Sequence, residues 1–375
     1  MLIRALARAR ERALFSLVLI LVSVSLTGLV LAQQKGKEQK KSYDKAQTQD
    51  IRALLKLVDD ASAGQPAPSD FQITWQSHYL KARDQKTYVP FTITIEPGKL
   101  TSSGIAMYVR AVKRGGEAPA SAQTAQKDQK DQKKGPEFPF EDVHFIDLKA
   151  EPAEGAKSAA ASAGTAAPAY RFSRALSVPP GEYDVWVAIK ERTPLNDKDK
   201  GATPPKATVF KQALTVPDFW SNEFLTSSII VAERVEPLAA PIPETERGIH
   251  PYAFETMELV PAVANKFSKK GNLSLLFFVY NAGLDTNKKP DVMVEYSFSR
   301  KVDGGEKFFN STVPQKFNAE TLPAQFDVAA GHQIVAGQEI PLASFPEGDY
   351  RLEIKVTDKI GNKTLTENVN LTVMP

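Results

Sequence analysis

One short pattern occurs twice in this chain. Ser177-Val178-Pro179-Pro180-Gly181-Glu182-Tyr183 recurs as Ser344-Phe345-Pro346-Glu347-Gly348-Asp349-Tyr350. Each copy is followed by apolar residues at every second position: Val185 and Val187 in one, Leu352, Ile354 and Val356 in the other. A period of two belongs to a strand with one buried face, and the proline and glycine ahead of it supply a turn. In the second copy Lys359-Ile360-Gly361-Asn362 makes another turn and alternation resumes from Leu365 to Val373, which predicts a hairpin. Two copies of one β-domain are expected.

Residues 1–12 hold Arg4, Arg8, Arg10 and Arg12 against Glu11, and residues 13–32 carry no charge. With the small residue Ala32 after Val30-Leu31, this is the pattern of a secretory signal peptide spanning 1–32. An uncleaved anchor is the alternative, since about 20 apolar residues reach across a bilayer; Gly28 and the polar run at 33–41 favour cleavage. Removing the leader takes four arginines and one glutamate, leaving 43 basic against 43 acidic residues. A near-neutral chain with no basic stripe is not expected to bind nucleic acid. There is no cysteine, so both domains must stand on their hydrophobic cores. The expected location is extracytoplasmic, periplasmic or secreted, in a bacterium, with membrane contact only through the leader if it stays.

Residues 33–68 read as a polar tether and an amphipathic helix over Asp44–Ala61, with Ala46, Ile51, Leu54, Leu55 and Val58 at helical spacing behind a cap at Ser42 or Asp44. This helix either packs on the first domain or binds a partner. Residues 69–217 are expected to form the first β-sandwich, with strands at Tyr88–Ile95, Gly104–Val112, Phe138–Leu148, Tyr170–Val178 and Ala207–Val216. Low-complexity stretches at 115–135 and 152–168 interrupt it and cannot bury enough apolar surface to offset their ordering entropy. Residues 218–375 form the second sandwich. Met257–Asn281 matches Ile73–Pro97 in pattern: a strand, a polar turn and a strongly apolar strand.

The fold class is therefore all-β: two tandem antiparallel immunoglobulin-like sandwiches preceded by a signal peptide and a short amphipathic helix. Tyr183 and Tyr350 take the place of the tyrosine corner of such domains, each returning a hydroxyl bond to nearby backbone. The segments Thr215–Phe219, Leu225–Glu233, Met257–Asn281 and Phe345–Asp358 resemble β-sandwich repeats of uncharacterised secreted bacterial proteins, immunoglobulin- or fibronectin-like, that often accompany GWxTD or von Willebrand A-type domains. The GWxTD motif itself is absent. That resemblance implies an extracytoplasmic location and an interaction role, and brings no catalytic residues.

The four histidines, His78, His144, His250 and His332, stand far apart and outside any metal-binding spacing. No nucleophile elbow, zinc helix or phosphate loop is present. Asp197-Lys198-Asp199-Lys200-Gly201 and the set Asp285, Asn287, Asp291 lack the oxygen count of a calcium loop, so turns are expected there. No catalytic, cofactor-binding or metal residue is assigned, and no cofactor. Trp75, Trp186 and Trp220 are the aromatic candidates; Trp186 and Trp220 are the two that could stack on a ligand, although packing is the plainer role. The leading expectation is a non-enzymatic interaction or scaffold protein with a protein partner in the cell envelope. The alternative is a carbohydrate- or cell-wall-binding module using exposed aromatics; a hydrolase with an unfamiliar site ranks last.

Overall fold

A computed structural model describes residues 43–96, 99–102, 104–115, 138–148, 170–193, 204–243 and 245–375. The expected signal peptide, the polar tether as far as Ser42, nearly all of the two low-complexity stretches and the Asp197–Gly201 turn lie outside these residues. The described chain is predominantly β, with antiparallel sheets and one α-helix, α1 (Lys45–Ser62). It divides into two compact units: residues up to Ser221 together with Arg234–Val263, and Asn222–Glu233 together with Ala264–Pro375.

The first unit contains β1 (Ile73–Ser77), β2 (Leu80–Lys81), β3 (Thr87–Ile95), β4 (Gly104–Lys113), β5 (Phe140–Asp147), β6 (Tyr170–Val178), β7 (Gly181–Glu191) and β8 (Ala207–Val216). In one sheet β3 pairs antiparallel with β6 along its whole length, and with β1 and β2 on its other side. Pro90 sits in this central strand where β1 has ended and β2 has not begun. Its missing N–H therefore leaves no ladder bond unmade, and its carbonyl accepts the His78 N–H. The other sheet runs β5-β4-β7-β8. Val89, Phe91, Ile93 and Ile95 from β3 share one core with Ile105, Met107 and Val109 from β4 and Val185, Val187 and Ile189 from β7. The alternation seen in the sequence supplies the inner face of each sheet.

β3 and β4 are also buried on their second faces, and two added segments account for it. Helix α1 lies over β4, β7 and β8, where Leu54, Val58 and Ala61 meet Ala106, Tyr108, Ala188 and Val209. The helix begins at a capping box: the Asp44 carboxylate accepts the Gln47 N–H at 2.7 Å and the Gln47 side chain accepts the Asp44 N–H at 3.0 Å. It is packed on the first unit, one of the two roles the sequence allowed. The outer face of the β3 sheet is met by the Arg234–Val263 segment, where the Tyr88 hydroxyl donates to Pro251 O and Gln76 Nε2 to Ala262 O.

The chain continues with β9 (Leu225–Thr226), β10 (Ile230–Pro237), β11 (Ala253–Phe254), β12 (Met257–Pro261), β13 (Lys266–Ser268), β14 (Asn272–Tyr280), β15 (Val292–Val302), β16 (Gly305–Ser311), β17 (Gln315–Phe317), β18 (Ile334–Pro341), β19 (Gly348–Asp358) and β20 (Lys363–Met374). In the second unit β14 pairs antiparallel with β18 on one side and with β9 and β10 on the other. The second sheet runs β13-β20-β19-β15-β16, with β17 also on β15 and β13 parallel to β20.

The duplication extends to register. Tyr183 stands between Lys113 and Leu214, and Tyr350 between Arg300 and Leu371. Gly181 and Gly348 adopt φ of 142° and 141°, a region that L side chains avoid. The Tyr183 hydroxyl donates to Pro179 O at 2.9 Å and that of Tyr350 to Pro346 O at 2.6 Å.

One pattern match needs correction. Met257–Pro261 resembles β1 in sequence, but the strand that pairs with β14 as β1 pairs with β3 is β10, through Ile230, Val231 and Ala232. β12 instead makes a hairpin with β11 and lies beside β10 rather than β14, in the segment that joins the first unit.

Candidate functional site

The titratable residues singled out in the sequence are dispersed and bonded locally. His144 lies 3.5 Å from Asp142, His250 Nδ1 is 3.0 Å from Glu258, and His332 Nδ1 accepts the Asp327 N–H at 2.9 Å. His78 is buried beside Tyr252. Asp285 accepts the N–H groups of Asn287 and Lys289, both at 2.8 Å, which makes it a turn residue. Asp291 faces Lys359 at 3.3 Å. Among the described residues no group of three or more histidines and carboxylates could hold a metal ion.

The three tryptophans have separate environments. Trp75 stacks on Phe91 with ring centroids 4.1 Å apart, at the edge of the first core. Trp186 points away from that core, as alternation against Val185 and Val187 requires. There it packs beside helix α1 with Val143 and Phe145, and Lys211 Nζ lies 5.5 Å from its ring. Trp220 is 42% exposed; its Nε1 donates to Lys86 O at 3.1 Å, and Lys81 Nζ sits 4.3 Å above its ring.

Helix α1 is held by charge as well as by apolar contact. Asp50 is buried and accepts from Lys190 Nζ at 2.7 Å and from the Thr193 hydroxyl at 2.6 Å. At the other end Asp59 accepts from Arg110 Nη1 at 2.6 Å; Arg110 Nε donates to the Tyr108 hydroxyl, which donates to Glu141. The same sheet face in the second unit is built differently. Where the register places Ala106, Tyr108, Trp186, Ala188 and Val209, that unit has Met293, Glu295, Glu353, Lys355 and Thr366. Its charged residues are paired on the sheet: Lys355 with Glu295 at 3.4 Å, and Glu353 with the nearby Arg351 at 2.9 Å.

Three of the apolar side chains that stay exposed lie on or just beyond the β15–β16 hairpin. Phe308 is 64% exposed, Val302 45%, and Val313, just beyond β16, 83%. β16 ends its sheet, so one of its edges has no strand beside it among the described residues. The register slips between Phe298 and Ser299, which pair with Asn310 and Phe308, leaving Phe309 as the extra residue of a bulge. Phe309 turns inward onto Phe345 and Tyr350, with ring centroids 4.9 and 5.5 Å away. Neighbouring residues face opposite sides of a strand, so Phe308 turns out beside a row of free backbone groups. Sequence reading passed over this residue. The signal was the Phe308-Phe309 pair, since a one-sided strand buries only one of two adjacent aromatics.

No protein-family model matches the chain, and neither does any curated protein.

Proposed function

We propose that this is a non-enzymatic extracytoplasmic interaction protein, built from two tandem immunoglobulin-like β-sandwiches, that offers the β16 edge to a protein partner in the cell envelope. The immunoglobulin-like assignment is supported by the repeated strand register, the paired sheets around one core in the first unit and the two tyrosine-corner bonds. The location is supported by the charged, then apolar, leader. The exposed Phe308 on an open strand edge carries the interaction reading. Such an edge accepts an added strand through main-chain bonds, with side-chain pockets setting specificity.

The test is crosslinked capture from envelope extract with the chain from Gln33 as bait, alongside Phe308→Lys and Asn310→Pro variants. A partner retained by the parent chain and lost by both variants supports the reading; equal capture by all three contradicts it. A second reading, glycan recognition, is favoured by one observation only, the exposed Trp220 ring. It predicts a change in tryptophan fluorescence on adding cell-wall glycans that is lost in Trp220→Ala.

A further inference from the structure

His78 is 5% exposed and occupies the short stretch between β1 and β2. Its Nδ1 lies 2.9 Å from the Tyr252 hydroxyl, and the Tyr252 ring meets it edge-on at 5.5 Å. Tyr252 is itself buried and comes from the loop 245–252, which lies on the outer face of the β3 sheet. The imidazole's hydrogen-bond partner is a hydroxyl, and that hydroxyl sits in a chain of others. Tyr252 bonds to Thr92 of β3, which bonds to Ser173 of β6, and Tyr88 reaches Pro251 O. Ser77 and Tyr79 flank it in the chain, and Tyr79 feels Glu182. Burial pushes the His78 imidazole down to about 4. Among the described residues the carboxylate bonded to the loop's own histidine, His250, is Glu258, and the loop's charged residues are Glu246 and Arg247.

We propose that residues 245–252 are an acid-released strap: protonation of His78, buried against the Tyr252 hydroxyl, lifts the strap from the sheet while the core of the first unit stays folded. An imidazolium at this position has to be hydrated, and the cheapest route to water is through the loop that covers it. The shared core of the two sheets uses no residue of the loop, so it need not open. Release uncovers Tyr88, Thr92 and His78 on a sheet face that is closed at neutral pH.

The test is amide hydrogen exchange on the whole chain at pH 7.0 and pH 4.5, corrected for intrinsic rates. A histidine that moves from about 4 in the closed state to its ordinary 6.5 in the open state raises strap opening roughly 50-fold between these pH values. The expected result is that rise at the Ala253 and Leu259 amides, which bond to His250 O and Tyr252 O, with β7 amides unchanged. In His78→Phe the rise disappears, while loss of the His250–Glu258 pair by Glu258→Gln leaves it in place. Opening that is absent, that includes β7, or that persists in His78→Phe overturns the proposal. Should His78→Phe not fold, the His78 ring protons of the parent chain serve in its stead: their titration must coincide with that of the strap amides, and separate curves overturn the proposal.

Discussion

Glu191 and Asp358 occupy the same place in the two halves of the chain, 167 positions apart like Tyr183 and Tyr350, and each is a buried carboxylate that ties two loops together. Glu191 ends β7 and accepts the N–H groups of Thr101 and of Ser102 (3.1 Å) ahead of β4, and of Lys206 (3.0 Å) ahead of β8. Asp358 ends β19 and accepts the N–H groups of Gly283 (2.8 Å) ahead of β15, and of Ile360 (3.1 Å) and Gly361 (2.9 Å) ahead of β20. A Cβ on Gly361 would collide with the Asp358 carboxylate, which is why the turn has glycine there.

Removing either carboxylate leaves several part-buried N–H groups without their acceptor at once. Glu191→Ala and Asp358→Ala are each expected to cost about 2–4 kcal/mol, read from chemical denaturation. Burial by itself would raise the Glu191 carboxyl, but the N–H bonds of Thr101, Lys206 and Ser102 hold it below the ordinary carboxylate value of 4.5. A depressed carboxyl contributes stability above its unfolded-state value and loses it as pH falls through the folded one. Glu191→Gln is therefore expected to be less stable than the parent at pH 7 and to lose less stability on going to pH 3. An unchanged acid limb would remove the carboxylate from this account.

Tyr183 and Tyr350 give a pair of smaller effects. Tyr183→Phe and Tyr350→Phe each delete one hydroxyl bond to a proline carbonyl, at an expected cost of about 1 kcal/mol. Gly181→Ala and Gly348→Ala force a side chain into the positive-φ region, at about 1–3 kcal/mol each. Thermal or denaturant unfolding measures all four, and matched losses at matched positions are the outcome expected of a duplicated register.

Asp50, on the buried face of helix α1, presents a sharper case. Its side chain is 2% exposed and that of Lys190 12%, so cutting the pair strands a charge between helix and sheet. Asp50→Ala is expected to cost about 3–5 kcal/mol and to open the 63–68 connection to protease. Asp50→Leu combined with Lys190→Met removes both charges and is expected to recover most of the loss.

These features differ in how far the sequence disclosed them. Tyr170–Val178 and Ala207–Val216 were legible to the residue because alternation and turn chemistry are local, and the α1 cap at Asp44 was one of two named. The β10-for-β12 exchange was not legible: Ile230–Glu236 and Met257–Pro261 are both short, partly apolar runs, and pairing across the chain depends on contacts that a local pattern does not encode. Burial of Trp186 by the helix had a readable trace. Ile105–Val109 and Val185–Ile189 are apolar on both parities, whereas Leu352–Val356 alternates with Glu353 and Lys355, so one sheet needs a cover and the other does not. Glu191 was also within reach, since the offset of 167 that matches the tyrosines matches the two acids. His78 and Phe308 left weaker traces, because exposure at an edge and burial under a distant loop are settled only in three dimensions.

The most direct test of the interaction account places a photoreactive amino acid at position 308 of the full chain in intact cells, with the same residue at Thr366, exposed on the same sheet away from the β16 edge, as control. The account predicts a discrete adduct with one envelope protein from position 308 and none from 366. No adduct at 308, or the same adducts from both positions, would contradict it.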